Sequence, residues 1–131
     1  MQDYRLQGLV AEKYILTKLR AEDYKVVKLV RQVKSKFDNK YYNQLNVQFL
    51  KNIIAKEYME DIEELINFLK QNITGLPDFI CLKDGELSFI EAKSNTSELI
   101  PSQEKTFQIL RKHGYKVDIR RVNVNLEINE T

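Results

Sequence analysis

The sequence predicts an α/β domain with a mixed central sheet that helices cover on both faces. Segments with helical and strand-like periodicity alternate along the chain, and an Asp-Gly pair between two apolar runs predicts a β-hairpin. Both faces of that hairpin carry apolar side chains, so both need cover from other elements. With 131 residues, 43% of them hydrophobic, the chain is predicted to form a single domain over residues 1–131.

The predicted elements before the hairpin are a helix, a strand and a second, long helix. Leucine and valine residues recur at helical spacing in the first helix, and Thr74-Gly75 followed by Pro77 ends the long one. A polar and aromatic loop separates the strand from the long helix. The predicted bounds are a helix over 3–22, a strand over 24–33, a loop over 34–43 and a helix over 45–71.

Turn residues bound the hairpin and the elements that follow it. Asp84-Gly85 fits a type I′ turn, which needs positive φ at both positions. Pro101 suits the first turn of a helix, and Gly114 fits the left-handed position after its end. The apolar alternation over 122–128 either extends the last strand past a bulge or forms an edge. The predicted bounds are strands over 78–83, 86–93 and 116–122 and a helix over 101–113.

Composition excludes membrane-spanning proteins and sites built on cysteine and histidine. No apolar run approaches the ~20 residues that span a bilayer. The N-terminus lacks the apolar segment of a secretory signal, so an intracellular protein is expected. Cys81 lies in an apolar run and is expected to be buried and inert. With one cysteine and one histidine in the chain, any metal ion must be held by oxygen ligands.

Charge is unevenly distributed, although the net charge is only +2. Residues 13–40 hold nine Lys/Arg against three Asp/Glu, and residues 111–121 hold five against one. Residues 57–64 hold five acidic residues and no basic one. This segregation predicts either a basic face that binds a polyanion or ordinary solvated surfaces, and charge alone leaves both readings open.

The hairpin register brings two carboxylates and an ammonium group to one patch of the sheet. If Asp84-Gly85 forms the two-residue loop, Asp78 lies directly opposite Glu91. Opposite residues of an antiparallel pair point to the same face, with Cβ atoms about 4.5–5.5 Å apart. Lys93 lies two residues beyond Glu91, so the period of two places it on the same face.

Opposed carboxylates destabilise a sheet unless a cation compensates their charge. Mg²⁺ accepts two carboxylates and several waters, especially beside phosphate oxygens. Bound there, it can help ionise a water and stabilise a leaving oxygen, and a lysine can neutralise charge that develops on phosphorus. The residue types therefore suit phosphodiester hydrolysis. The alternative is that Asp78 and Glu91 are charged strand ends, with Lys93 as their salt-bridge partner.

The segment over residues 75–122 resembles the PD-(D/E)xK nuclease signature. Gly75-Leu76-Pro77-Asp78 precedes the hairpin, Glu91-Ala92-Lys93 ends it, and Ser102-Gln103 follows in the next helix. The pattern is most similar to the VRR-NUC branch, whose small members are related to archaeal Holliday junction resolvases. The resemblance implies a restriction-endonuclease-like fold. The chain departs from it through a long helical insertion, residues 45–71, between the first strand and the Pro-Asp strand.

The resemblance also implies roles for the residues of the motif. Asp78, Glu91 and the backbone carbonyl of Ala92 would bind the metal ion, and Lys93 would be the catalytic lysine. Glu12 in the first helix matches an acidic residue that many members place beside the metal. The helical wheel places Glu12 on the core-facing stripe; the alternative is a boundary glutamate that reaches solvent.

Gln103 is the remaining candidate for the catalytic set. It shares a helix face with Phe107 and Leu110, so it is predicted to point at the sheet. The family often has glutamine here, near the metal or the attacking water. The alternative is a capping contact at the helix N-terminus.

Candidate DNA-binding residues lie in the loop over 34–43 and in the last strand. The loop mixes cations, which can hold phosphates, with aromatic side chains, which can stack on unpaired bases. The alternative is an ordinary surface loop with its aromatic side chains packed into the core. The predicted nucleic-acid-binding residues are Lys34, Lys36, Lys40 and Arg120.

Together these patterns predict a DNA endonuclease that depends on Mg²⁺, with Mn²⁺ as a substitute. A domain this small has little room to read sequence, so branched or junction DNA is the favoured substrate. A homodimer would match symmetric cuts in a junction. The alternatives are a sequence-specific restriction-type nuclease and a non-catalytic DNA-binding or assembly protein on the same fold.

Overall fold

The computed structural model describes residues 4–29, 32–35, 40–42, 62–72 and 75–125. These residues form an α/β fold, as predicted. Its helices are α1 (Tyr4–Ala21), α2 (Ile62–Gln71) and α3 (Pro101–Lys112). Its strands are β1 (Lys25–Lys28), β2 (Gln32–Ser35), β3 (Lys40–Tyr42), β4 (Phe79–Lys83), β5 (Glu86–Ser94) and β6 (Lys116–Val122).

The main sheet is mixed. Across the described residues it has four strands in the order β1-β4-β5-β6, with β1-β4 and β4-β5 antiparallel and β5-β6 parallel. The parallel pair is possible because α3 carries the chain back between β5 and β6. This is the helix-flanked mixed sheet expected of a restriction-endonuclease-like fold.

Helices cover both faces of the sheet, as the two-sided hairpin predicts. On one face, Ile15 and Leu19 of α1 pack against Phe79, Cys81 and Ile90. On the other face, a second cluster joins α2 and α3 to the sheet. Its central members are Leu65, Leu69, Ile80, Leu82, Phe89, Phe107 and Leu110.

The predicted hairpin register is confirmed. Phe79 pairs with Ile90 and Lys83 with Glu86. The turn residues Asp84-Gly85 have φ values of 52° and 74°, as a type I′ turn requires. The predicted burial of Cys81 is also confirmed, and that burial raises the pKa of its thiol to about 12.

The predicted strand over 24–33 and the predicted loop over 34–43 are both wrong in part. The first strand of the main sheet ends at Lys28, and the next N–H, that of Leu29, donates to the carbonyl of Asp78 just before β4 begins. Beyond Lys28, β4 offers no further residue to pair with, so the next strand, β2, pairs with β3 instead. Gln32 lies opposite Tyr42, so β2 and β3 form a separate two-stranded sheet where a loop was expected.

The first helix is confirmed, but its leucines are less buried than their spacing suggests. Leu6 and Leu9 are 44% and 55% exposed. The buried residues recur at every fourth position, because the i±4 row faces the sheet. They are Gln7, Ala11, Ile15 and Leu19.

Two predicted elements reach beyond the described residues. The long helix over 45–71 is confirmed over Ile62–Gln71, and residues 43–61 lie outside the described part. The last strand ends at Val122, as predicted. Residues 126–131 lie outside the described part of the chain, so the two predicted alternatives for the apolar alternation over 122–128 stay predictions. No helix among the described residues has the length and apolar character needed to cross a membrane.

Candidate active site

A close approach between two chain segments positions Asp78 at the start of β4. Gly75 lies against the first turns of α3, where an added Cβ would clash with the Ser102 carbonyl and the Thr106 hydroxyl. Only glycine lets the chain pass this close to the helix. Pro77 then leads directly into Asp78, which precedes the first residue of β4.

Two hydrogen bonds from backbone N–H groups hold the carboxylates of Glu91 and Asp78. The backbone N–H of Asp78 donates to Glu91 Oε1 at 3.0 Å. The N–H of Ala92 donates to Asp78 Oδ2 at 2.9 Å. The two carboxylates therefore lie side by side, as the register predicts. In an extended strand the N–H and C=O of one residue point to the same edge, so the Ala92 carbonyl also faces the side of Asp78.

Gln103 reaches this pair from the first turn of α3. Its Nε2 donates to Glu91 Oε2 at 2.8 Å, and its Oε1 accepts the N–H of Ile100 at 3.2 Å. The side chain is buried, with 8% of the residue exposed. The structure thus gives Gln103 both contacts that the sequence offered as alternatives: it caps the helix and fixes the second oxygen of Glu91.

Lys93 completes the cluster from the next inward-facing position of β5. Its Nζ lies 3.7 Å from Glu91 Oε2, and its side chain is 13% exposed. Two carboxylates and one ammonium group therefore share one face of the sheet. With both carboxylates ionised, the cluster of Asp78, Glu91 and Lys93 carries a net charge of −1.

Burial raises the pKa of both carboxylates, and a neighbouring acidic group adds to each shift, Asp78 for Glu91 and Glu12 for Asp78. Burial, followed by the negative charge of Asp78, raises the pKa of Glu91 to about 8, although Lys93 opposes the shift. Burial also raises the pKa of Asp78, against the hydrogen bonds that it makes with Glu91 and Ala92. Without a bound cation, Glu91 therefore takes up a proton at a higher pH than an ordinary glutamate does.

Glu12 lies in the same cavity, paired with a residue that the sequence did not single out. Lys28 Nζ lies 2.7 Å from Glu12 Oε1, and the Glu12 side chain is 21% exposed. The helical wheel placed Glu12 toward the core but gave no partner for it. Lys28 reaches it because β1 pairs with β4, a pairing that no turn signal in the sequence specifies.

All these side chains line one cavity of about 460 Å³ at the end of the sheet. Arg5, at the start of α1, adds a further cation to its wall. The predicted metal and catalytic residues that it brings together are Glu12, Asp78, Glu91, Ala92, Lys93 and Gln103.

The donor set fits a divalent cation at the two central carboxylates. A cation there would compensate the repulsion that raises the pKa of Glu91, and the Ala92 carbonyl would add a neutral oxygen ligand. Among the described residues, no three His, Cys, Asp or Glu side chains are close enough together to hold a metal by themselves. Glu12 forms an ion pair with Lys28, and the metal-binding roles of Glu12, Asp78 and Glu91 all stay predictions.

Of the predicted DNA-binding residues, only the Arg120 side chain lies in the described part of the chain, and it does not line this cavity. Arg120 lies on the α1 face of the sheet, opposite Ala92 in register, and its Nη1 is 3.1 Å from Glu22 Oε2. Lys36 and the side chains of Lys34 and Lys40 lie outside the part of the chain that the structure describes.

Comparison with known proteins bears on the family. The model of the VRR-NUC domain matches residues 15–124, which include β1, the hairpin, α3 and β6. Comparisons with curated proteins and with solved structures gave no match. The match covers most of the chain and contains Asp78, Glu91 and Lys93. The resemblance seen in the sequence is thus confirmed, and the chain belongs to the VRR-NUC family of PD-(D/E)xK-like nuclease domains.

Proposed function

We propose that this protein is a DNA endonuclease that hydrolyses phosphodiesters with Mg²⁺, or with Mn²⁺ in its place. One observation carries the proposal: the backbone N–H groups of Asp78 and Ala92 hold the carboxylates of Glu91 and Asp78 together beside Lys93 in one cavity. A protein that bound DNA without cutting it would gain nothing from two buried carboxylates, because they repel a phosphate.

The protein side chains have separable tasks in the proposed reaction. Asp78, Glu91 and the Ala92 carbonyl hold the cation, and Gln103 keeps Glu91 in its orientation through the 2.8 Å bond. The ammonium of Lys93 faces the reacting phosphate and neutralises charge as water attacks and the P–O bond breaks. When bound, Mg²⁺ supplies Lewis acidity at the phosphate and lowers the pKa of the attacking water.

The preferred substrate is proposed to be branched DNA, in keeping with the small recognition surface of the chain. A two-fold homodimer would place two such cavities for paired cuts. We also propose that the protein is intracellular, as the sequence predicts. The rival readings are a sequence-specific nuclease and a non-catalytic DNA-binding protein.

The test compares cleavage of linear duplex, flap and four-way junction DNA of matched sequence, each with Mg²⁺, Mn²⁺ or EDTA. The site variants are Asp78→Asn, Glu91→Gln and Lys93→Ala, each expected to reduce cleavage at least ~100-fold. Asp118→Asn and Lys116→Ala are the matched controls, because these residues lie on β6 with side chains 50% and 60% exposed. They should cut like the wild type.

The outcomes distinguish the structure-specific nuclease from the sequence-specific nuclease and from the non-catalytic DNA-binding protein. Cleavage that prefers branched substrates and needs a divalent cation supports the proposal. Equal cutting of all substrates at fixed sites would favour the sequence-specific reading. DNA binding without cleavage under any condition, or full activity in the Lys93 variant, would rule out the proposed mechanism.

A further inference from the structure

A second open concavity, of about 760 Å³, lies between α1 and the end of β6. We call it the α1–β6 groove. Its floor is apolar, with Ile15 and Val124 almost fully buried. None of the described residues that line it is acidic. The polar and aromatic residues of its wall are Tyr14, Lys18, Arg120, Arg121, Asn123 and Asn125.

Tyr14 gives this groove a flat, accessible aromatic surface. The residue is 53% exposed, and Val10, one helical turn before it, is 38% exposed. The Nζ of Lys18 lies 6.0 Å from the centre of the Tyr14 ring, so the ring and the cation lie together on the same wall. An exposed aromatic ring beside a cation matches a nucleotide, whose base stacks while its phosphate pairs with the charge.

Arg120 adds positive charge on the opposite wall, because it points to the α1 face of the sheet, whereas the next residue, Arg121, points to the other face with Lys93. The Arg121 side chain is 42% exposed, its Nη1 donates to the carbonyls of Ser97 and Ser94, and its Nη2 lies 3.8 Å from Glu98 Oε2. Arg120 is 29% exposed and is held by Glu22 at 3.1 Å, which leaves further donors on its guanidinium. The groove therefore combines an apolar floor with a cationic rim.

Strand register connects the groove to the catalytic cavity. Lys93 lines the cavity, and Arg121, its direct neighbour on β6, lines the groove. Neighbouring strands lie about 4.8 Å apart. The cavity and the groove therefore border two neighbouring strands of the sheet.

We propose that the α1–β6 groove binds an unpaired DNA strand that continues from the phosphate at the catalytic cavity, with a base stacked on Tyr14 and phosphates on Lys18 and Arg120. The inference rests on the proposed nuclease function and names its substrate class. The strand must be unpaired, because the faces of bases within a duplex are already covered by their neighbours. The groove would therefore favour flaps and branches over linear duplex.

The first experiment measures binding alone, by fluorescence anisotropy with a labelled oligothymidylate and the full chain. Tyr14→Ala should weaken binding about 5- to 100-fold, the range found when stacking aromatics are replaced by alanine. Tyr14→Phe keeps the ring and should bind within about twofold of the wild type. Lys18→Ala should lower the salt dependence by roughly 0.7 in log–log slope, one single-strand phosphate contact. Lys13→Ala, exposed on α1 outside the groove, is the control.

The second experiment measures kcat/KM on a flap substrate and on linear duplex. Tyr14→Ala should lower kcat/KM for the flap by the same factor as oligonucleotide binding, and change it less than about twofold for the duplex. Because Tyr14 is half exposed, thermal melts of its variants should match that of the wild type.

The results distinguish failure of the groove from failure of the nuclease. If the wild type cuts DNA but Tyr14→Ala binds the oligonucleotide normally, the groove proposal is overturned and the nuclease stands. If the wild type cuts no DNA, the anisotropy measurements still test whether the groove binds a single strand. Equal loss in Tyr14→Phe and Tyr14→Ala, or equal loss on flap and duplex, would refute stacking of an unpaired base.

Discussion

Replacing Asp78 with asparagine removes one charge from the central carboxylate pair at nearly constant shape. The asparagine oxygen can still accept the N–H of Ala92, which Asp78 Oδ2 accepts at 2.9 Å. Any change in stability then reports the charge of Asp78. The substitution should act most clearly on Glu91, because the charge of Asp78 helps to raise the pKa of Glu91.

The sign of the pH dependence follows from the Glu91 pKa. It rises from 4.5 in the unfolded chain to about 8 in the folded protein, so the folded state binds more protons between these values. In the absence of metal, the contribution of Glu91 to the free energy of unfolding should therefore be greatest below pH 4.5, and it should be lost as the pH rises through about 8. At about 1.4 kcal/mol per pKa unit, the shift sets a ceiling of roughly 5 kcal/mol on that loss.

The variant should recover only the part of this loss that comes from Asp78, because burial is the larger cause and remains. The difference in the free energy of unfolding should be smallest at pH 6, below the Glu91 pKa of about 8, and should grow as the pH rises. At pH 9 the variant should be more stable by about 1 kcal/mol or somewhat more, the upper end for a directly opposed pair of like charges. Saturating Mg²⁺ should stabilise the wild type by about 3 kcal/mol at 100 times Kd, and the variant by much less.

The assay is urea denaturation of both proteins at pH 6, 7, 8 and 9, with EDTA and with Mg²⁺. Asp118→Asn controls for loss of a carboxylate in general, because its side chain is 50% exposed. A variant that is less stable than the wild type at pH 9 in EDTA, with equal Mg²⁺ stabilisation of both, would show that the two carboxylates do not form a shared site.

Three further predictions test the surroundings of the site. Gly75→Ala should lower the free energy of unfolding by roughly 1–3 kcal/mol through its clash with α3, whereas Gly8→Ala in open space should raise it by about 0.5–1 kcal/mol; equal melts would contradict the close approach. Gln103→Ala should lower kcat with little change in KM, because Glu91 loses the hydrogen bond that orients it. The control, Gln108→Ala at an exposed position of the same helix, should leave kcat unchanged, and equal kcat values in the two variants would show that Gln103 does not act in the site. Alanine in place of the three lysines of the 34–43 segment should reduce the salt slope of duplex binding by about 0.9 per phosphate contact, and an unchanged slope would place them off the DNA. These lysines are Lys34, Lys36 and Lys40.

The core of the site could be predicted from sequence because one local rule fixes its register. The Asp84-Gly85 turn determines which residues of β4 and β5 face each other, and the period of two then determines the shared face. That Asp78, Glu91 and Lys93 share one face followed from these two rules, whereas their proposed roles came from the resemblance to the PD-(D/E)xK signature. Gln103 followed from helical periodicity, although the sequence could not tell that one amide can cap the helix and bind Glu91 at once.

The rest depended on pairings between distant segments, which no local pattern records. β1 pairs with β4 across some fifty residues of chain, and only that pairing brings Lys28 to Glu12. The same pairing ends the first strand early and leaves β2 to pair with β3. Gly75 reads as a helix stop in the sequence, and its packing against α3 appears only in three dimensions.

The two central carboxylates belong to the sheet as well as to the proposed chemistry. Each accepts a backbone N–H from the opposite strand, at the position where the hairpin ladder ends and no carbonyl takes these donors. Alanine at Asp78 or Glu91 would leave a buried N–H without its acceptor, at a cost of about 1–3 kcal/mol each. Loss of activity in an alanine variant would then mix chemistry with local unfolding. Asparagine and glutamine keep an acceptor oxygen in place, so they alone separate the cation-binding charge from the hydrogen bonds that hold the hairpin end together.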